Sequence, residues 1–160
     1  MRQLLDSNGQ NIILEARIAS SGEGEVWKTD RYINGKRQLA KIYHQNTLTR
    51  DRITKLKLLT TNAPADPNAN QGHISFAWPK SLIFNNQNSA VGFLMPEISK
   101  ADNLVRYCSP KLRKKNRLNI NWYFLHTVAL NIASIIQAIH QYRPYETVLW
   151  VRAYNEICCT

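Results

Sequence analysis

Apolar and polar positions along this chain first follow a strand rhythm and then change period. Residues 11–19 are rich in Ile and Leu and read as a strand, Ser20-Ser21-Gly22-Glu23-Gly24 is a turn signal, and Glu25-Val26-Trp27-Lys28 alternates as a returning strand does. Asn34-Gly35 predicts a tight hairpin because both residues tolerate positive φ, and residues 37–43 make the third strand of a meander. Over residues 47–60 the period lengthens. Leu48, Ile53, Leu56 and Leu59 or Thr60 share one helical face, Thr47 or Thr49 supplies the cap, and Asp51 sits in the first turn, where the helix dipole favours an acid. Residues 62–72, rich in Asn, Pro, Asp and Gly, predict a loop. Residues 74–78 and 80–84 read as strand-like and broken by Pro79, 85–89 as a turn, and 90–95 as another buried strand.

Beyond residue 96 the pattern turns helical. A short helix at 104–107 ends near Pro110, and a basic run follows at 111–117. Residues 122–141 form a long helix whose Leu125, Val128, Ala129, Ile132, Ile135, Ile136 and Ile139 recur at three- and four-residue steps, predicting a buried stripe. Pro144 breaks the helix, and residues 147–154 read as one more strand.

Composition narrows the class. At 160 residues, with 44% hydrophobic and 20% charged positions, the chain can bury a core, which argues against disorder. The uncharged stretch 118–142 contains Asn119, Asn121, His126, Asn131, Gln137 and His140, so it reads as a helix of a soluble domain and not as a membrane span. Cys108, Cys158 and Cys159 make neither a disulfide framework nor a zinc site, and the first residues lack the apolar core of a signal peptide, so a cytoplasmic setting is expected. The net charge of +10 admits nucleic acid, acidic lipid or phosphate ligands as partners.

Three strands, a helix and two strands, followed by helices, is the order of a protein-kinase small lobe entering its large lobe. Ile18-Ala19-Ser20-Ser21-Gly22-Glu23-Gly24-Glu25-Val26-Trp27 resembles a kinase glycine-rich loop, Ala40-Lys41-Ile42-Tyr43 the strand that carries the ATP lysine, and Val91-Gly92-Phe93-Leu94-Met95-Pro96-Glu97 the fifth strand running into the hinge. With Trp78-Pro79 and the helix from Asn131 to His140, the chain is similar to a bacterial branch of kinase-like proteins, some of which carry helix-hairpin-helix regions elsewhere. The resemblance implies an α+β fold: a five-stranded antiparallel sheet plus one helix over residues 11–98, the first helices of an incomplete large lobe over 99–141, and an atypical tail over 142–160.

The same resemblance implies a site for ATP or another adenine nucleotide. Ser21, Gly22 and Gly24 would approach the phosphates, although Ala19 and Ser21 stand where kinases use two of their three glycines. Lys41, seventeen residues after Gly24, would hold the α- and β-phosphates. Val26, Leu39 and Leu94 would line the adenine slot, with Met95 as gatekeeper and Pro96, Glu97 and Ile98 as hinge. Kinases pair this lysine with a helix glutamate, but no glutamate lies between Gly35 and Pro96. Lys55 aligns there, which leaves Asp51 as the substitute. Each residue also has a plain structural reading, as hairpin, edge lysine or core.

Phosphoryl transfer also needs a base and metal ligands after the long helix. The last aspartate is Asp102, and past His140 the carboxylates are Glu146 and Glu156, so no catalytic residue, no metal ligand and no magnesium site is assigned. The expectation is a truncated, pseudokinase-like domain without activity of its own, whether from a reading-frame change near Gln141 or a native short form. The exposed part of the apolar helix predicts marginal stability or self-association. A reading of a different class rests on Arg106, Lys111, Arg113, Lys114, Lys115 and Arg117. This is either a basic module for nucleic acid or a protein partner, or simply a solvated face.

Overall fold

In the computed structural model, residues 3–72, 74–98 and 103–141 are described, so the strand expected at 147–154 and the tail at 142–160 lie outside the described residues. The elements are β1 (Leu4–Asp6), β2 (Asn11–Ile12), β3 (Leu14–Ser20), β4 (Gly24–Ile33), β5 (Lys36–Tyr43), α1 (Arg50–Thr61), a 3₁₀ turn (Ala69–Gln71), β6 (Ser81–Asn85), β7 (Ala90–Pro96), α2 (Val105–Cys108), α3 (Pro110–Lys115) and α4 (Trp122–Gln141). They fall into two units. Among the described residues, the first holds 3–63 together with Phe76–Glu97, and the second holds those of Pro64–Ser75 and those from Ile98 to Gln141.

The first unit is α+β, as expected, but its antiparallel sheet has seven strands in the order β2-β1-β6-β7-β5-β4-β3. The stretch 11–19, read as one strand, divides at Ile13: its start pairs with β1, as in Leu4↔Ile12, and the rest pairs with β4. Consecutive residues therefore belong to both ends of the strand order, which curls the sheet back on itself. Two sets of contacts hold this closure. The Ile13 amide donates to Asp30 Oδ1 at 2.9 Å, and Arg31 Nη2 on β4 donates to Asp6 Oδ2 on β1 at 2.7 Å. The β4–β5 hairpin turns at Asn34 (φ 51°) and Gly35 (φ 72°), the paired positive dihedrals that match the twist of the flanking strands.

Each sheet face has its own core. One buries Leu4, Ile12, Ala40, Ile83 and Leu94. The other buries Val26, Tyr43, Leu82, Phe93 and Met95, and Leu56 of α1 packs onto it. Thr49 caps α1, its side chain accepting from the Arg52 amide, and Asp51 occupies the first turn. The residues before β6 are not the strand that their apolar content suggests. Phe76 and Trp78 stack edge to face, and the buried Trp78 indole donates to the Leu59 carbonyl at 2.8 Å, which ties this segment to the last turn of α1.

In the second unit the loop is organised by the Asp66 carboxylate, which accepts from the amides of Asn68 and Ser75 and from Ser75 Oγ. Ser109 caps α3 with Pro110 in the first turn, and the exposed Lys111, Lys114 and Lys115 lie on this short helix. Of the expected stripe along α4, Leu125, Val128, Ile132 and Ile135 are half-buried and Ile139 is buried, but Ala129 and Ile136 are exposed. Leu130 and Tyr123 are 70% and 81% exposed, so the expectation of a buried helix is corrected. The other described α-helices of its unit, α2 and α3, are only four and six residues long. By length and composition α4 is apolar enough to cross a membrane.

Candidate functional site

Of the expected site residues, Val26, Leu39 and Met95 share one face of the curled sheet with Lys41. Residues paired across antiparallel strands share a face, and β5 pairs Lys41 with Val26 on β4 and with Phe93 on β7, and Leu39 with Met95. Val26 and Met95 are buried on this face, with Leu39 packed against them. Leu94 is a correction. It pairs with Ala40, one residue out of phase, and is buried in the opposite core. The period-two geometry of a strand allows Met95 or Leu94 on this face, not both.

Lys41 is the unusual member, because its side chain is only 7% exposed although it lies on a strand surrounded by apolar residues. A buried ammonium is costly unless anions or π faces compensate it. Among the described residues, the carboxylate within 4 Å of it is not Asp51, which is exposed in the first turn of α1. It is Glu23, from the turn between β3 and β4. Glu23 Oε2 lies 3.9 Å from Lys41 Nζ, and Glu23 Oε1 lies 3.2 Å from Arg52 Nη2 on α1. Both cations stand over the Tyr43 ring, Lys41 Nζ at 5.4 Å and the Arg52 guanidinium carbon at 5.1 Å from its centroid. Glu23, Arg52 and Tyr43 are thus members of the cluster that sequence reasoning missed. Arg52 follows Glu23 by twenty-nine residues, and no local pattern couples two positions so far apart.

The turn itself is well fixed. The Ser21 amide donates to the Gly24 carbonyl at 2.9 Å, and the Glu23 carbonyl accepts from the His44 amide at 3.0 Å and from Thr47 Oγ1 at 2.8 Å. Its two glycines differ. A Cβ at Gly22 would meet nothing within 4 Å, whereas one at Gly24 would fall on the Ile42 carbonyl oxygen of β5. Gly24 therefore lets two strands approach, and Gly22 is the glycine with open space beside it. At the other end of the face the Glu97 amide donates to the Arg37 carbonyl at 2.9 Å, and the Glu97 carboxylate lies 3.9 Å from Lys28 Nζ. Ile98, half-buried, belongs to the second unit.

Two charged groups near the turn and hairpin are shifted by their neighbours. The Arg17 guanidinium, with the Trp27 indole, hydrogen-bonds the Glu25 carboxylate and lowers its pKa, while the Tyr32 hydroxyl, with Glu15 nearby, raises that of Arg37. Among the described residues no group of three or more His, Cys, Asp or Glu side chains stands where it could hold a metal ion.

The chain is 29% identical over 141 residues to a protein of Escherichia coli strain K12 described as protein kinase YegI, a match that covers 88% of this chain and 20% of that protein. The protein of the same description from Escherichia coli O157:H7 is 28% identical over 140 residues, again 20% of its length. The chain thus spans about one fifth of the relatives it matches. No family model matches the sequence, and no solved structure does. At this identity and coverage the similarity supports a kinase-like domain and goes no further, and the curled sheet with one helix packed on it is consistent with a kinase-like N-terminal lobe.

Proposed function

We propose that this unit is the nucleotide-binding half of a protein-kinase-like domain and takes ATP, or another adenine nucleotide, on the face that carries Lys41. The observation that carries the proposal is the burial of Lys41 beside an open glycine turn. The fold places an ammonium group at 7% exposure, with the turn 21–24 on one side and the apolar Val26, Leu39 and Met95 on the same face. Those residue types fit a nucleotide: a cation and small turn residues suit phosphates, and a flat apolar strip suits a purine ring. Gly22 is the turn position where backbone can approach a phosphate without a Cβ in the way.

The proposal for these 160 residues is binding. Transfer chemistry would need an oriented base and metal ligands, and no aspartate follows Asp102 in the sequence, so none of these residues is assigned that role. A cytoplasmic setting, where ATP is abundant, goes with this reading. Thermal unfolding with and without ATP tests it. For a Kd of about 1 mM and ATP at about 10 mM, linkage stabilises the folded chain by roughly 1.4 kcal/mol, a rise of about 3–6 °C in Tm. Lys41→Ala should abolish the rise. The absence of any rise in the unmodified chain at that concentration, with or without magnesium, would contradict the proposal.

A further inference from the structure

The cluster around Glu23 inverts the charge arrangement that the kinase resemblance implies. There the helix supplies the carboxylate that meets the strand lysine. Here α1 supplies a second cation, Arg52, and the turn supplies the carboxylate. Resting on the nucleotide reading above, we propose that Lys41 and Arg52 form an anion site over the Tyr43 ring that takes a phosphate group of the nucleotide, and that the Glu23 carboxylate competes for it.

Three observations carry this. Glu23 meets the two cations with different oxygens, Oε2 at 3.9 Å from Lys41 and Oε1 at 3.2 Å from Arg52, so one carboxylate bridges two positive groups. A phosphate group offers three acceptor oxygens and up to two negative charges, so it matches a guanidinium fork plus an ammonium better than a single carboxylate does. Second, Arg52 does not depend on Glu23 for its position. It is rooted in α1, and its Nη1 donates to the Thr47 carbonyl at 2.8 Å, so the fork stays at the site when the carboxylate leaves. Third, only a side chain has to move. The Glu23 backbone is held through its carbonyl by His44 and Thr47, while its side chain is 40% exposed and next to the open space at Gly22. Rotation of that side chain into solvent would take this carboxylate away from both cations and leave the turn's backbone bonds intact.

A fixed counter-ion that merely aims Lys41 would give the opposite response to loss of the Glu23 charge, so the sign of one change decides. Calorimetric titration of the 160-residue chain with ATP, adenosine and tripolyphosphate should show Glu23→Gln tightening ATP by about tenfold, the effect of one charge contact. Adenosine binding should stay within about twofold, since that ligand has no phosphate. Glu23→Asp, which keeps the charge but draws it back by one methylene, should fall between, and it keeps the test decisive if the Gln variant does not fold. Arg52→Gln should weaken ATP by about tenfold and leave adenosine unchanged. Glu23→Gln that leaves ATP affinity equal or weaker, in a chain that binds ATP, overturns the competing role while the nucleotide reading stands. Tripolyphosphate binding that responds to both variants, without any binding of adenosine or preference for ATP, supports the anion site and removes the nucleotide reading. Failure of every variant to bind all three ligands removes both.

Discussion

Gly24 and Gly22 stand two residues apart in the same turn and should respond oppositely to an added methyl group. At Gly24 an alanine Cβ would fall on the Ile42 carbonyl oxygen, with the Tyr43 Cα at 2.9 Å and the Ile42 carbonyl carbon at 3.0 Å. All three are backbone atoms of β5, so no rotamer change can make room, and β4 must move away from its partner. Overpacking of this kind costs about 1–3 kcal/mol, and a ladder hydrogen bond lost in the adjustment adds roughly 1 kcal/mol. The reduced entropy of the unfolded chain offsets only about 0.4–1 kcal/mol of this. At Gly22 the same offset acts with nothing opposing it, because its Cβ would meet no atom within 4 Å. Urea unfolding followed by tryptophan fluorescence reads both. With m near 2 kcal/mol/M, the midpoint should fall by about 0.5–2 M for Gly24→Ala and hold or rise slightly for Gly22→Ala. An unchanged midpoint for Gly24→Ala, or equal losses for the two variants, would refute the assignment of Gly24 to strand packing and of Gly22 to open space.

Two further outcomes follow from the same geometry. Leu56→Ala removes the one buried side chain of α1 and should cost about 2–4 kcal/mol in the same urea experiment, whereas a loss under about 0.5 kcal/mol would mean that α1 does not pack on the Val26–Phe93 face. The Arg17–Glu25 contact lowers the folded-state pKa of Glu25 below its unfolded value. Its stabilisation should therefore be present above the ordinary glutamate pKa of 4.5 and disappear as pH falls through the lowered value, so the Tm gap between the unmodified chain and Glu25→Gln should close in acid, and a gap that widens there would contradict the sign.

Much of the first unit was legible because its signals are local. Asn34-Gly35 announces its turn through two positive φ values, Thr49 and Asp51 announce the start of α1, and the alternation around Lys41 marks the face it shares with Val26 and Leu39. The first strand is hard to read because it is three residues long and pairs with Phe84 and Asn85 near the far end of the unit, although Asp6-Ser7-Asn8-Gly9 between Leu4-Leu5 and Asn11-Ile12 is a turn signal, with Gly9 at φ 73°. The segment before β6 misled because Phe76 and Trp78 are strand-forming residues used here for side-chain contacts to each other and to Leu59. On the site face, strand parity in sequence admits either Leu94 or Met95, and only the register with Leu39 decides for Met95. The sequence points to the helix after Lys41 for its partner, whereas the sheet brings Glu23 to it from the turn before β4.

The central claim is that Lys41 lies beside the phosphates of a bound adenine nucleotide. An ATP analogue bearing an acyl group on its terminal phosphate transfers that group to a lysine amine within reach, and peptide mapping then identifies the lysine. Acylation at Lys41, suppressed by excess ATP while the exposed Lys111 and Lys114 react regardless, is the predicted result. Labelling confined to surface lysines, or labelling of Lys41 that ATP does not reduce, would contradict it.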